Sequence, residues 1–211
     1  MEICGSVSID TLPARQALAR VAADLYRRGW MAGTAGNLSV RDGDGFWITA
    51  SGRAKGQLQD GDFVLMALDS GEMIEAASPA ARPSAEASIH QVIYQMVGDA
   101  RACLHVHTVD ACLATEDCED GEVLLPPLEM LKGLGVWEQA PQVMLPVFAN
   151  PLHVPAIAEA IRRRFVHQPP TIPALMIHRH GITAWGTSLQ QALNHLEVVE
   201  FILSWMARRR D

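Results

Sequence analysis

The sequence predicts an α/β domain, α+β-like in character, in which one central and largely antiparallel sheet is covered by helices on both faces. Three observations predict it. Segments with apolar residues at helical spacing alternate with short apolar runs along the whole chain. Two of those runs, NLSVR and FWITA, flank the tight turn DGDG, which reads as a hairpin and therefore as an antiparallel start. No internal repeat, linker or low-complexity tract divides the 211 residues, so 1–211 is expected to be a single domain.

The elements follow in order. Leu12, Leu18, Val21, Ala22 and Leu25 recur near helical spacing after Asp10, and Arg27, Arg28 and Gly29 close this first helix. After the hairpin, DFVLMAL reads as a third strand. Ser84 can cap a helix through Ile89, Val92, Ile93, Met96 and Val97, and ACLHVH is the next strand. A helix from about Thr108, the strand QVMLPVF, a helix VPAIAEAIRRRF with Pro155 near its start, and the strands ALMIH and ITAW come next. Ser188 and Gln191 form a capping box, after which Leu189, Leu193, Leu196, Val199 and Leu203 make one stripe of a long last helix.

Composition excludes several classes of function. A hydrophobic content of 49% with 19% charged residues is that of a packed protein rather than a disordered or fibrous one. The net charge of −7 argues against a general nucleic-acid partner, and ARRR, Ala207 to Arg210, reads as the solvated end of a helix. MEICGSVSID has no basic segment followed by an apolar one, and no apolar run approaches the roughly 18 residues of a membrane span, so a soluble, unexported protein with no membrane partner is expected. Cys4, Cys103, Cys112 and Cys118 form no CxxC pair and are expected to be reduced thiols in a cytoplasm.

The chemistry starts from CLHVHT. Side chains alternate along a strand, so His105 and His107 share one face while Leu104 and Val106 share the other. Two neutral imidazoles can then converge on a cation, although two core histidines bonded to backbone would show the same pattern. A catalytic zinc site takes three protein ligands and an open position, so the pair needs a partner. LMIHRHG offers His178 and His180, on one face by the same alternation, the second before Gly181; spacing alone leaves both as candidates. His90, His153, His167 and His195 are expected to be helix-surface or half-buried residues.

In ARPSAEASIH, Glu86 shows either the ordinary preference of a carboxylate for the first turn of a helix or a place beside a metal as acid, base or ligand. TAGNLS and TASGRAKG combine small residues with the hydroxyls of Ser39 and Ser51 and the charges of Arg53 and Lys55. They suit a phosphate cradle as well as ordinary turns, and no Walker or dinucleotide fingerprint is present. In PPLEMLKGLG, Glu129 and Lys132 are either an exposed ion pair or, for the glutamate, a desolvated carboxyl poised as a general acid.

In this order, AGNLSVR, TASGRAKG, RPSAEASIH, LHVHT and IHRHGITAWG resemble the motifs of the class II aldolase/adducin-like family of zinc enzymes, from the first helix to the last. The resemblance implies one Zn2+ per subunit on His105, His107 and His180, leaving His178 as a neighbour. It implies a substrate phosphate held by Asn37, Ser51, Gly52 and Ser84, with Arg53 and Lys55 offsetting charge nearby, and Glu86 as acid and base in the sugar-phosphate aldolases. It further implies a phosphorylated ketose as substrate and a homo-oligomer, commonly a tetramer with sites near subunit contacts. Within the family, LEMLKGLG and SGRAKGQL look like a dehydratase branch that removes water from 5-methylthioribulose 1-phosphate in methionine salvage, with Glu129 as proton donor and acceptor. The alternatives are a fuculose- or rhamnulose-phosphate type aldolase, a ribulose-phosphate 4-epimerase, and a metal-free scaffold like the adducin head.

Overall fold

The computed structural model describes residues 8–209, which leaves Cys4 and Arg210 outside the described residues. Helix α1 (Ala14–Arg27) starts later than Asp10, because Ile9–Thr11 forms a separate 3₁₀ turn and Pro13 stays extended as the N-cap (φ −52°, ψ 139°). It buries Leu18, Val21, Ala22 and Leu25 of the stripe the spacing predicts, with Ala17 beside them, whereas Leu12 lies before the helix and is half-buried. Strands β1 (Asn37–Asp42) and β2 (Gly45–Thr49) form the expected hairpin, and β3 (Phe63–Ala67) pairs with β2. Then come β4 (Met73–Ala76), α2 (Ala87–Met96), β5 (Ala102–Val106), α3 (Val109–Ala114), β6 (Gly121–Leu125), a 3₁₀ helix Glu129–Leu134, β7 (Val143–Phe148), α4 (Val154–His167), β8 (Ala174–Ile177), β9 (Gly181–Gly186) and α5 (Leu189–Arg208).

Among the described residues, nine strands form one sheet in the order β4-β3-β2-β1-β5-β9-β8-β7-β6. Neighbours are antiparallel except β7 and β8, in agreement with a largely antiparallel sheet. Strands β4 and β6, which the sequence pattern does not announce, are the two edges; β4 is mostly exposed and so lacks an apolar face to signal it. Leu104 and Val106 join α1, α3 and α5 in the core on one face, with Leu196, Val199 and Leu203. Cys103, Ile177 and Trp185 join α2 and α4 on the other, with Ile89, Ile93, Ile157 and Phe165. Each such side chain, fully buried, contributes about 1.5–3 kcal/mol. Helices therefore cover both faces.

Ser188 caps α5 through the Gln191 N–H, but the Gln191 amide oxygen accepts from Thr187 rather than closing the box on Ser188. Cys103, Cys112 and Cys118 are free thiols. Among the described residues no helix is long and apolar enough to cross a membrane.

Candidate metal centre

Sheet register builds the site. β1 sets Asn37 opposite His105, and β9 sets Thr183 opposite His105 on its other side, so the three stand in one row across mid-sheet. His105 is 1% exposed and faces the α2 layer, as alternation with Leu104 and Val106 requires. His107 directly follows the strand; its N–H donates to the Trp30 carbonyl at 2.9 Å, and its ring centroid lies 4.9 Å from that of His105.

The third imidazole corrects one expectation. Ile177 pairs with Gly181, so 178–180 form a tight turn, with Arg179 at φ 49°, instead of continuing the strand. His178 and His180 therefore do not share a face. His178 donates from Nδ1 to the Cys118 carbonyl (2.9 Å), whereas His180 meets His105 and His107 edge-on, with centroids at 5.0 and 4.5 Å.

Glu86 is the fourth member. Ser84 is not the N-cap of α2; Glu86 is, with no hydrogen bond from its side chain to the helix end, while Ser84 Oγ accepts from the Glu86 N–H at 3.3 Å. The carboxylate thus reaches over to the sheet, with Oε1 at 2.9 Å from His180 Nε2 and 3.5 Å from His105 Nε2. Burial lowers His105 and His107, the latter to about 3, so both rings are neutral and have a lone pair to give. Burial by itself would raise Glu86, but the facing His105 and His180 rings and the Asn37 amide outweigh it and hold the carboxyl below its usual range.

This set fits a metal ion. One donor atom from each of Glu86, His105, His107 and His180 lies within 4.8 Å of all the others. Tetrahedral zinc bonds of roughly 2.0–2.1 Å put ligand atoms about 3.3 Å apart. The His105–His107 Nε2 separation is 3.0 Å, and the two Glu86 contacts bracket that value. On its far side His105 Nδ1 lies 3.0 Å from Thr183 Oγ1, a contact that fixes the ring and leaves Nε2 for a ligand. The buried Nδ1 of His180 has no hydrogen-bond partner.

Glycine permits this approach. A Cβ on Gly181 would stand 2.1 Å from the Val106 carbonyl and 3.1 Å from carbons of both His105 and His107. Gly181→Ala is therefore expected to push β9 off β5, cost about 1–3 kcal/mol of stability and weaken metal retention, as checked by thermal unfolding and metal analysis of the dialysed protein.

Of the phosphate candidates, Ser51 and Gly52 form an exposed turn tied to the loop before α2 by the Ser51 N–H to the Arg82 carbonyl (2.9 Å). Ser84 is half-buried there. Lys55 is not a solvated cation: it is 1% exposed, donates to the Thr34 and Arg53 carbonyls at 2.9 Å each, and is lowered by burial to about 8. Arg53 is paired with Asp62 at 3.1 Å. Asn37 has its amide engaged by Glu86 and by His90.

Glu129 stands apart. Its 3₁₀ helix packs on α5, and Gly133–Gly135 line a cavity with Gly186 and Thr187, at the end of β9 opposite the histidines. The expected apolar setting is absent: the Glu129 side chain is 84% exposed and accepts from Lys132 Nζ at 2.8 Å, which keeps the carboxyl below its usual range. The turn points Leu131 and Leu134 inward, and the glutamate on the other side points outward. His153 and His167 are exposed at the ends of α4 and His195 is half-buried, as expected, but His90 is wholly buried. A repeat of four residues, Glu86, His90 and Tyr94, carried that signal.

Fold and site together define the class: an α/β domain whose open sheet carries a group of three histidines and one glutamate able to hold one metal ion. The family described as Class II Aldolase and Adducin N-terminal domain matches residues 16–207, and the chain belongs to it. A methylthioribulose-1-phosphate dehydratase of Microcystis aeruginosa is 52% identical over 193 residues, 91% of this chain and 94% of the relative. Another, of Leptospira biflexa, is 45% identical over 209 residues, 95% of this chain and 100% of the relative. Among solved structures, an L-fuculose-1-phosphate aldolase of Thermus thermophilus is 25% identical with a TM-score of 0.69 over 93% of each chain. A further L-fuculose 1-phosphate aldolase, 24% identical, has the same fold, with a TM-score of 0.76 over 97% of this chain and 90% of its own.

Proposed function

We propose that this chain is a zinc-dependent lyase that dehydrates 5-methylthioribulose 1-phosphate to 2,3-diketo-5-methylthiopentyl 1-phosphate in methionine salvage, as a cytoplasmic homotetramer with one Zn2+ per subunit. The observation that carries this reading is the joint presence, in a chain half identical to a relative of that name, of a buried cluster of three histidines and a glutamate and of EMLKG at Glu129–Gly133. His105, His107 and His180, with Glu86 beside them, would hold the ion. A divalent cation there supplies electrophilic polarisation of the ketose carbonyl, which acidifies the adjacent C–H.

The remaining work falls to side chains. Loss of water takes a proton from C3 and a hydroxyl from C4, and hydroxide leaves only when protonated. One carboxylate serves both steps if it starts ionised, takes the C3 proton and returns it to the C4 oxygen; the enol left at C3 then tautomerises to the diketone. Glu129, kept ionised by Lys132, meets that starting condition. Its exposure, and the seating of the end of its helix, Gly133–Gly135, against Gly186 and Thr187 rather than beside its own histidines, support delivery into the site of a neighbouring subunit. Ser51, Gly52, Ser84 and Lys55 are assigned to the phosphate, and Asn37 to Glu86.

A turnover assay on metal-replete protein tests the reading, with 5-methylthioribulose 1-phosphate beside L-fuculose 1-phosphate. Diketone formation from the first substrate is the expected result. Release of dihydroxyacetone phosphate from the second, with no diketone from the first, would replace it by the aldolase reading, in which Glu86 moves the proton.

A further inference from the structure

Beneath Glu86 lies a buried chain of polar side chains that no step above uses. Glu86, His90 and Tyr94 recur at intervals of four and share a face of α2, while Asn37 and Ser39 are two apart and share a face of β1. The two rows interlock. Asn37 donates from Nδ2 to Glu86 Oε2, and its Oδ1 lies 2.5 Å from His90 Nε2. His90 Nδ1 is 2.6 Å from Ser39 Oγ, which is 2.7 Å from the Tyr94 hydroxyl. His90 and Ser39 are 0% exposed, Tyr94 2% and Asn37 3%, so water does not complete any of these bonds.

Donors and acceptors can be assigned along the whole chain. An ionised Glu86 only accepts, so Asn37 must turn its NH2 group to it and its oxygen to His90. His90 Nε2 must then carry the ring's proton. Burial keeps this imidazole neutral, lowering it to about 3, so Nδ1 is an acceptor and Ser39 O–H donates to it. The Ser39 oxygen is left to accept from Tyr94 O–H. Turned end for end, the same chain would present the Asn37 oxygen to Glu86, which only a protonated carboxyl could meet.

We infer that His90 is a positioning residue which, backed by Ser39 and Tyr94, sets the orientation of the Asn37 amide and so holds the Glu86 carboxylate aimed as a member of the metal-binding group. This rests on the reading of His105, His107, His180 and Glu86 as a metal centre. Partners that orient a ligand from behind typically contribute 10–100-fold to metal affinity.

The test is Co2+ binding to metal-free full-length protein at one fixed pH, read by visible absorption and by competition with a chelator. The wild type is expected to bind, and His90→Leu to bind about 10–100-fold more weakly. His90→Gln, whose amide can still donate to Asn37, is expected to recover most of the affinity. Ser39→Ala, which deletes one oxygen, is expected to lose about 3-fold or more. Wild-type affinity in both Ser39→Ala and His90→Leu would overturn the inference. So would a His90→Gln protein as weak as His90→Leu, which is the mark of a packing role. If His90→Leu does not fold, Ser39→Ala decides by the same reading, wild-type affinity overturning the inference. Failure of the wild type itself to bind Co2+ would remove the metal centre, whereas binding that is indifferent to the variants would remove only the positioning role.

Discussion

His105→Ala is expected to empty the centre and stop turnover together. His105 is the middle of the group: its ring touches those of His107 and His180, its Nε2 is 3.5 Å from Glu86, and Thr183 fixes its other nitrogen. Removing an outer partner of a metal ligand costs 10–100-fold, so deletion of the ligand is expected to cost more than about 100-fold in affinity. Zinc content after dialysis checks this, with about one ion per chain in the wild type and none in the variant. Because the ring also fills space between β1 and β9, unfolding should be compared among the metal-free proteins, where the difference reports packing alone. A His105→Ala protein that retains one zinc per chain would move the centre elsewhere.

Glu129→Gln is expected to lower turnover by about 10²–10⁴-fold while leaving zinc content and thermal unfolding unchanged, since the side chain is exposed and pairs with the exposed Lys132. Mixing makes the prediction sharper. Inactive His105→Ala and Glu129→Gln subunits, unfolded and refolded together, should regain activity, because some sites then combine an intact metal group with an intact glutamate from the neighbour. At equal proportions about one quarter of the sites qualify. No recovery would place Glu129 and the metal in one chain or remove the glutamate from the reaction; near-normal turnover of Glu129→Gln alone would do the latter and bring Glu86 forward.

Much of this architecture was legible because burial writes a period into the sequence. The stripes of α1 and α5 and the DGDG hairpin follow from side-chain spacing, and His105 and His107 from strand alternation. What escaped was decided by contacts between distant segments. Spacing alone left His178 and His180 open and only the family resemblance chose His180, because the choice depends on a three-residue turn that strand periodicity does not foresee. Lys55, whose loop suits a phosphate cradle as well as an ordinary turn, is instead buried and bonded to the Thr34 and Arg53 carbonyls. His90 looked like an ordinary helix residue until β1 brought Asn37 and Ser39 against it. The apolar neighbours of Glu129 in sequence proved to be its own turn's anchors, not its surroundings.

The sheet order has a consequence for how the molecule is made. β9 is the last of the described strands yet sits between β5 and β8, and it supplies the backbone on which His180 closes the histidine group. Synthesis must pass Gly186 before that central slot can fill, so the early strands wait with one flank of β5 open. Pairings this remote in sequence are slow to form. An ion that needs all three histidines must therefore wait for β9 to pair with β5.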